Sequence, residues 1–172
     1  MAGLELVTGP TVEPVSAGEL ADQVRVDATD ELALMAGYIT AAREYVEQTL
    51  LSRAMLTQTW ALWLDGWPTN GRLRLPYAAP LQSVTAVTYY DEDDTEATFA
   101  SGSYFVNTVS RPGALVLRDD ATWPTTTLRR VNGVKVTYVA GYTAASSVPQ
   151  RWKQAILLLA ADMYEHREDT LV

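Results

Sequence analysis

Few side chains in this sequence are of types that could carry chemistry. His166 is the single histidine, and it stands four residues after Asp162. On a helix that spacing places both on one face, so the pair could offer two ligands to a metal ion. Zinc needs three or four ligands, and no second pair at a suitable spacing exists in the sequence. We therefore read the pair as a solvated helix end with a cation near the C-terminal dipole. Asp91-Glu92-Asp93-Asp94 resembles part of a calcium loop but lacks the glycine and distal glutamate of an EF-hand. It reads as a solvated hairpin tip. The absence of cysteine excludes disulfides, thiolate zinc sites and cysteine nucleophiles. No Gly-rich phosphate loop follows a strand, Gly-x-Ser-x-Gly is missing, and Gly102-Ser103-Tyr104 reads as a turn. Trp60, Trp63 and Trp152 lie in periodic segments and are expected in the core, whereas Trp67 and Trp123 neighbour prolines in loops and are expected to face a partner. No catalytic, cofactor-binding or metal-binding residue is assigned and no cofactor is expected. An interaction protein is favoured over an enzyme.

The totals agree. Thirteen Lys and Arg against 21 Asp and Glu leave a formal charge of −8, which repels phosphate and disfavours wrapping of nucleic acid. A chain of 172 residues is one domain's worth and buries roughly 70% of the surface its unfolded form exposes. The first residues lack the basic and apolar regions of a secretory signal. The longest aliphatic run, Ala155 to Ala161, is far short of the ~20 residues a membrane span needs. A soluble chain made without an export signal is expected.

Two helices frame the elements. From Ala28 to Leu51, the positions Leu32, Met35, Ile39, Ala42, Val46 and Thr49 step by threes and fours on one face, which Leu34, Tyr38, Tyr45 and Leu50 widen. Asp27 is the expected N-cap, with Asp30 and Glu31 in the first turn. Arg43 and Glu47 read as a polar-side i,i+4 pair. Before this helix, Ser16 and Glu19 form a capping box that opens a short helix over Ala17 to Val24. Residues 1–15 read as an extended arm. The second long helix starts near Val148-Pro149, with Ser146 or Ser147 as cap and an apolar stripe through Trp152, Ala155, Ile156, Leu159 and Met163. Leu157, Leu158 and Ala160 make it apolar nearly all round, so packing on several sides is expected, including against a neighbouring subunit.

Between these helices the period changes to two. Trp60, Leu62 and Leu64 share a parity, and Arg72-Leu73-Arg74-Leu75 is a short strand after Asn70-Gly71. Val84 to Tyr90 turns through the acidic hairpin into Glu96 to Phe99. Tyr104-Phe105-Val106 and Ala114 to Leu117 flank Arg111-Pro112-Gly113, and Val134 to Val139 is the clearest strand. The fold class is α+β: helices at 16–53 and 147–168, with an antiparallel β-domain inserted at 54–142, in one domain over 1–172.

The order of segments resembles the phage head–tail connector (adaptor) proteins, in particular the phiE125 gp8-type group and, more distantly, the HK97 gp6-like connectors. The resemblance rests on Pro14-Val15-Ser16 with Glu19-Leu20, Ile39 to Glu47, and Thr57-Gln58-Thr59-Trp60 followed by Leu64-Asp65-Gly66-Trp67-Pro68. It continues through Pro80 to Val84, Tyr138 to Tyr142 with Val148-Pro149, Gln154 to Leu159, and Tyr164-Glu165-His166-Arg167-Glu168. His166 replaces the asparagine usual in that last motif. The resemblance implies a virion protein made in the bacterial cytoplasm, a ring usually of twelve copies beneath the portal. Such a ring joins the portal to a stopper or tail-proximal connector and passes DNA through its lumen without binding it specifically. It implies no membrane partner. The alternatives are a stopper or tail terminator and, more remotely, a metal-dependent hydrolase using Asp162, His166 and the acidic turn.

Overall fold

The computed structural model describes residues 2–27 and 31–166. The fold is α+β, as expected: helices toward both ends and antiparallel sheets between them. The chain forms two compact units. The β unit comprises Met1–Gly9 and Thr57–Gly141, and the helical unit comprises Pro10–Leu56 and Tyr142–Val172.

In the β unit, β1 (Ala2–Thr8), β2 (Gln58–Leu64), β4 (Leu81–Tyr90), β5 (Glu96–Thr98) and β8 (Val134–Ala140) make one antiparallel sheet in the order β1-β2-β8-β4-β5. A second sheet is ordered β3-β7-β6, from β3 (Arg72–Arg74), β6 (Tyr104–Asn107) and β7 (Ala114–Leu117). The period-two reading gives the core face. Val134, Val136, Tyr138 and Ala140 are buried along β8, and their partners Trp60 and Leu62 on β2 point the same way. Tyr138 donates its hydroxyl to the Pro76 carbonyl, and burial raises its pKa well above the ordinary tyrosine value. Residues 1–15 were expected as an arm. Residues 2–8 are extended but paired, antiparallel to β2, with a bulge between Leu6 and Thr8.

In the helical unit, α1 (Ala17–Val24) begins with the expected capping box: the Glu19 N–H donates to Ser16 Oγ at 3.2 Å, and the Ser16 N–H donates to Glu19 Oε2 at 2.7 Å. The second helix, α2, spans Leu32–Tyr45 and continues as a π-helical segment over Val46–Leu51, which stops at left-handed Ser52. Asp27 is not its cap. It lies exposed before residues 28–30, and the N-cap position is Glu31. The Glu31 carboxylate accepts the Tyr164 hydroxyl instead of a backbone N–H. Asp30 lies outside the described residues. The last helix, α3, spans Gln150–Glu165 with Pro149 at the N-cap. Ser146 and Ser147 do not cap it, because they are spent in a 3-10 turn over Ala145–Ser147.

One cluster fills this unit: Leu20 from α1, Met35 and Ile39 from α2, and Trp152, Ile156 and Ala160 from α3, among others. The buried side of α3 follows Trp152, Ile156, Ala160 and Tyr164, with Leu157 and Ala161 beside it. Ala155, Leu159 and Met163 lie on its half-buried flank. Both α1 and α2 pack on it. Its apolar girth is thus largely consumed by two helices of its own unit, and Leu158 is its one exposed large apolar side chain.

Candidate assembly surfaces

The candidates for chemistry are not brought together into a site. Nδ1 of His166 lies 3.1 Å from Asp162 Oδ1, and both side chains are exposed. The acidic turn folds on itself: Asp91 Oδ1 accepts the N–H groups of Asp93 at 3.0 Å and Thr95 at 2.8 Å, and Asp94 pairs with Arg129 at 3.2 Å. Its carboxylates thus hold the hairpin rather than converge on a cation. Asp162 and His166 belong to the helical unit and Asp91–Asp94 to the β unit. Among the described residues no three His, Cys, Asp or Glu side chains are placed to hold a metal ion.

Trp67 and Trp123 are half-buried against each other. Their rings stack on each other at 4.7 Å and lean on Phe99 at 5.6 and 5.4 Å, while Tyr89 meets Trp67 edge-on at 5.8 Å. Loop aromatics next to prolines look exposed in sequence. Here the rings stack on each other, and stacking removes apolar area from water.

What sequence reasoning missed is a buried ionic network at the end of α2. Arg43 and Glu47, expected on the polar side, are 5% and 3% exposed. Arg43 Nη1 donates to Glu47 Oε2 at 2.7 Å and its Nε to Glu13 Oε2 at 2.8 Å, while Thr40 Oγ1 donates to Glu13 Oε1 at 2.9 Å. Glu47 Oε1 also accepts the Met55 N–H at 2.6 Å. Burial lowers the Arg43 pKa, but the hydrogen bond to Glu13 and the charges of Glu47 and Glu13 outweigh it, so the net shift is upward. The network ties the irregular run before α1 to α2 and to the segment after the π-helix. The one available signal was the i,i+4 spacing of Arg43 and Glu47, which does not say which side of the helix is buried.

Among the described residues of the helical unit, a helix stripe and a groove stay open. On α2, the exposed Leu34, Ala41 and Tyr45 form an outward stripe, with exposed Gly37 beside it, while the half-buried Tyr38 between them packs on the core and meets Tyr164 edge-on at 6.3 Å. A Cβ at Gly37 would meet nothing within 4 Å. The second is a groove of about 550 Å³ between the run Val12–Ala17, α2 and the start of α3, mostly apolar and with Glu19 and Lys153 among its lining residues. In the β unit, Val109 at the β6–β7 turn is 88% exposed.

Open apolar stripes on a surface mark places where another molecule can pack. No family model matches this chain, and no curated protein matches it. A chain from a structure of the neck of an empty gene transfer agent (GTA) particle, computed with C6 symmetry, superposes with a TM-score of 0.82 at 25% identity, covering 99% of this chain and 87% of that one. A chain from the virion of a native GTA particle gives 0.79 at 24% identity, covering 98% and 87%. This chain shares its fold with a protein of a particle neck. Among its described residues no helix is long and apolar enough to cross a membrane.

Proposed function

We propose that this chain is a structural head–tail connector of a tailed phage or phage-like particle, a ring beneath the portal that joins it to the next tail component and lets DNA pass. The observation that carries this is the match over 99% of the chain to a protein of a GTA neck, supported by the resemblance in segment order. Its role is structural rather than catalytic, and the two compact units act together as one connector domain. The neighbour's neck was computed with C6 symmetry, and a ring of twelve is a multiple of six. The partners are the portal, a stopper or tail-proximal connector, and further copies of this chain. An acidic chain of net charge −8 gives a lumen through which DNA slides without adhering.

A ring contact is heterologous: each copy offers one patch and receives another. We assign the outward stripe of α2 to the neighbouring copy, because α3 spends its apolar girth within its own unit. The test is to image the neck of particles that carry the chain, and particles made without it. Expected are a closed ring beneath the portal and, in its absence, filled heads without tails. A single copy per particle, or normal tails without the chain, defeats the proposal. Leu34→Asp with Tyr45→Asp should leave the free chain folded and abolish the ring.

A further inference from the structure

The two edges of the five-stranded sheet are built differently. β5 is three residues long and follows directly on the acidic turn. A short edge flanked by charge resists pairing with another chain. β1 is seven residues long, contains no proline and carries one charge, Glu5. Gly3 through Thr8 are exposed along its length, and among the described residues no strand pairs with its outer edge. Its only irregularity, the bulge at Val7, sits at one end and leaves Ala2–Leu6 in regular register with β2.

The core face of the sheet also runs out onto this edge. Leu4 pairs with Leu62 and Leu6 with Trp60, so both leucines share the buried face of β2. Yet Leu4 is 36% and Leu6 45% exposed, whereas Leu62 and Trp60 are buried. One more strand would cover them.

That strand is unlike β1 itself. In a twofold antiparallel pairing of Ala2–Thr8 with a second copy, the central residue is Glu5, and it falls directly opposite the other Glu5. Like charges placed so are destabilising. Among the described residues the other open strands, β3, β5 and β6, are three or four residues long and cannot match seven. We infer that β1 receives an extended segment of a different chain of the particle, added as a sixth strand, with apolar residues on the side of Leu4 and Leu6 and a lysine or arginine facing Glu5. The net charge of −8 favours the same basic complement. Backbone hydrogen bonds would supply most of the affinity, and the alternate side chains the selectivity.

This inference rests on the chain being a neck component, and the experiment separates the two. Amide hydrogen exchange is compared between the free protein and purified particles, followed over Gly3–Thr8. Outward amides of β1 are expected to slow about tenfold or more on assembly, since pairing removes them from water. In parallel, Leu4→Lys with Leu6→Lys should keep the melting temperature of the free protein, because both sites are exposed, and should reduce incorporation into particles about tenfold. The chain lacks cysteine, so Val7→Cys carries a unique photo-crosslinker whose adduct in particles identifies the donor strand by mass spectrometry. A crosslink to a different chain supports the inference, and a crosslink to a second copy overturns it. Wild-type chain present in the neck with unprotected β1 amides, or a double-lysine variant that assembles normally, overturns the strand pairing alone. Absence of the wild-type chain from the particles overturns the connector reading as well.

Discussion

In the helical unit the buried ions Arg43 and Glu47 are paired: Arg43 is held by Glu13 and Glu47, and Glu47 also receives the Met55 N–H, while the buried Nε of Arg53 is left without an acceptor among the described residues. In the β unit the polar atoms left inside include the indole N–H groups of Trp60, Trp67 and Trp123, which find no acceptor among the described residues, and stacked rings fill the space. The difference teaches which loss each unit tolerates. A ring stack degrades gradually as area is removed. An ionic network fails abruptly, because deleting one member leaves the others buried and uncompensated.

The comparison can be broken most directly at Arg43. Arg43→Met should destabilise the helical unit by about 3–5 kcal/mol in denaturant melts, as removal of one partner of a buried pair does. A loss below about 1 kcal/mol would mean the network is solvated in solution and the contrast between the units is false. A tryptophan from each unit sharpens it further. Trp152 is buried against Tyr142 at 6.0 Å, with Arg53 4.9 Å above its ring. Trp152→Ala should cost about 3–5 kcal/mol, the range for truncating a buried large ring. Trp123 is half-buried in its stack, so Trp123→Ala should cost about 2 kcal/mol. If the two losses are equal, the aromatic cluster of the β unit is as tightly specified as the helical core.

Smaller effects test local features. Ser16→Ala removes the capping box and should cost about 1 kcal/mol. The Ser16 backbone N–H, and then its hydroxyl, hold the Glu19 pKa below its ordinary 4.5. A depressed folded-state pKa contributes stability that is present above 4.5 and lost as pH falls through the lower folded value. Stability of the wild type should therefore decline on that acid limb more steeply than stability of Glu19→Gln. Gly37→Ala should stabilise the free chain by about 0.5–1 kcal/mol, since the helix gains a better former and the new Cβ meets open space. The same change should weaken ring formation if a neighbouring copy packs on the α2 stripe. Equal assembly of both variants would move the subunit contact elsewhere.

Much of the chain's local structure is legible one segment at a time. The helix from Ala17 to Val24, its Ser16–Glu19 box and the strand Ala114–Leu117 lie where the residues predict them, and the strand expected over Val134–Val139 runs one residue further, to Ala140. Each depends on hydrogen bonds and side-chain faces set within a few residues of the position concerned. The paired state of residues 2–8 was not legible, because alternation at Leu4 and Leu6 is too short to distinguish a strand from an arm. Neither was the cap of α2, since Asp27 and Glu31 are both acidic and the Tyr164 hydroxyl that engages Glu31 is brought from α3.

Which side of a helix is covered is the larger matter that local pattern leaves open. Leu34 and Tyr45 are as apolar as Met35 and Ile39, and Arg43 and Glu47 look like any surface pair. Tertiary packing buries the ions and leaves the leucine and tyrosine outside. The partners that decide this lie far along the chain: Glu13 is 30 residues from Arg43, and Glu5, which anchors β1 to Trp63 at 2.8 Å, is 58 residues away. Periodicity and turns follow from neighbours in sequence, so the sequence alone determined most of the elements and their order, β1 excepted. Burial, ion pairing and the open edge of β1 depend on contacts between segments that only the folded chain brings together.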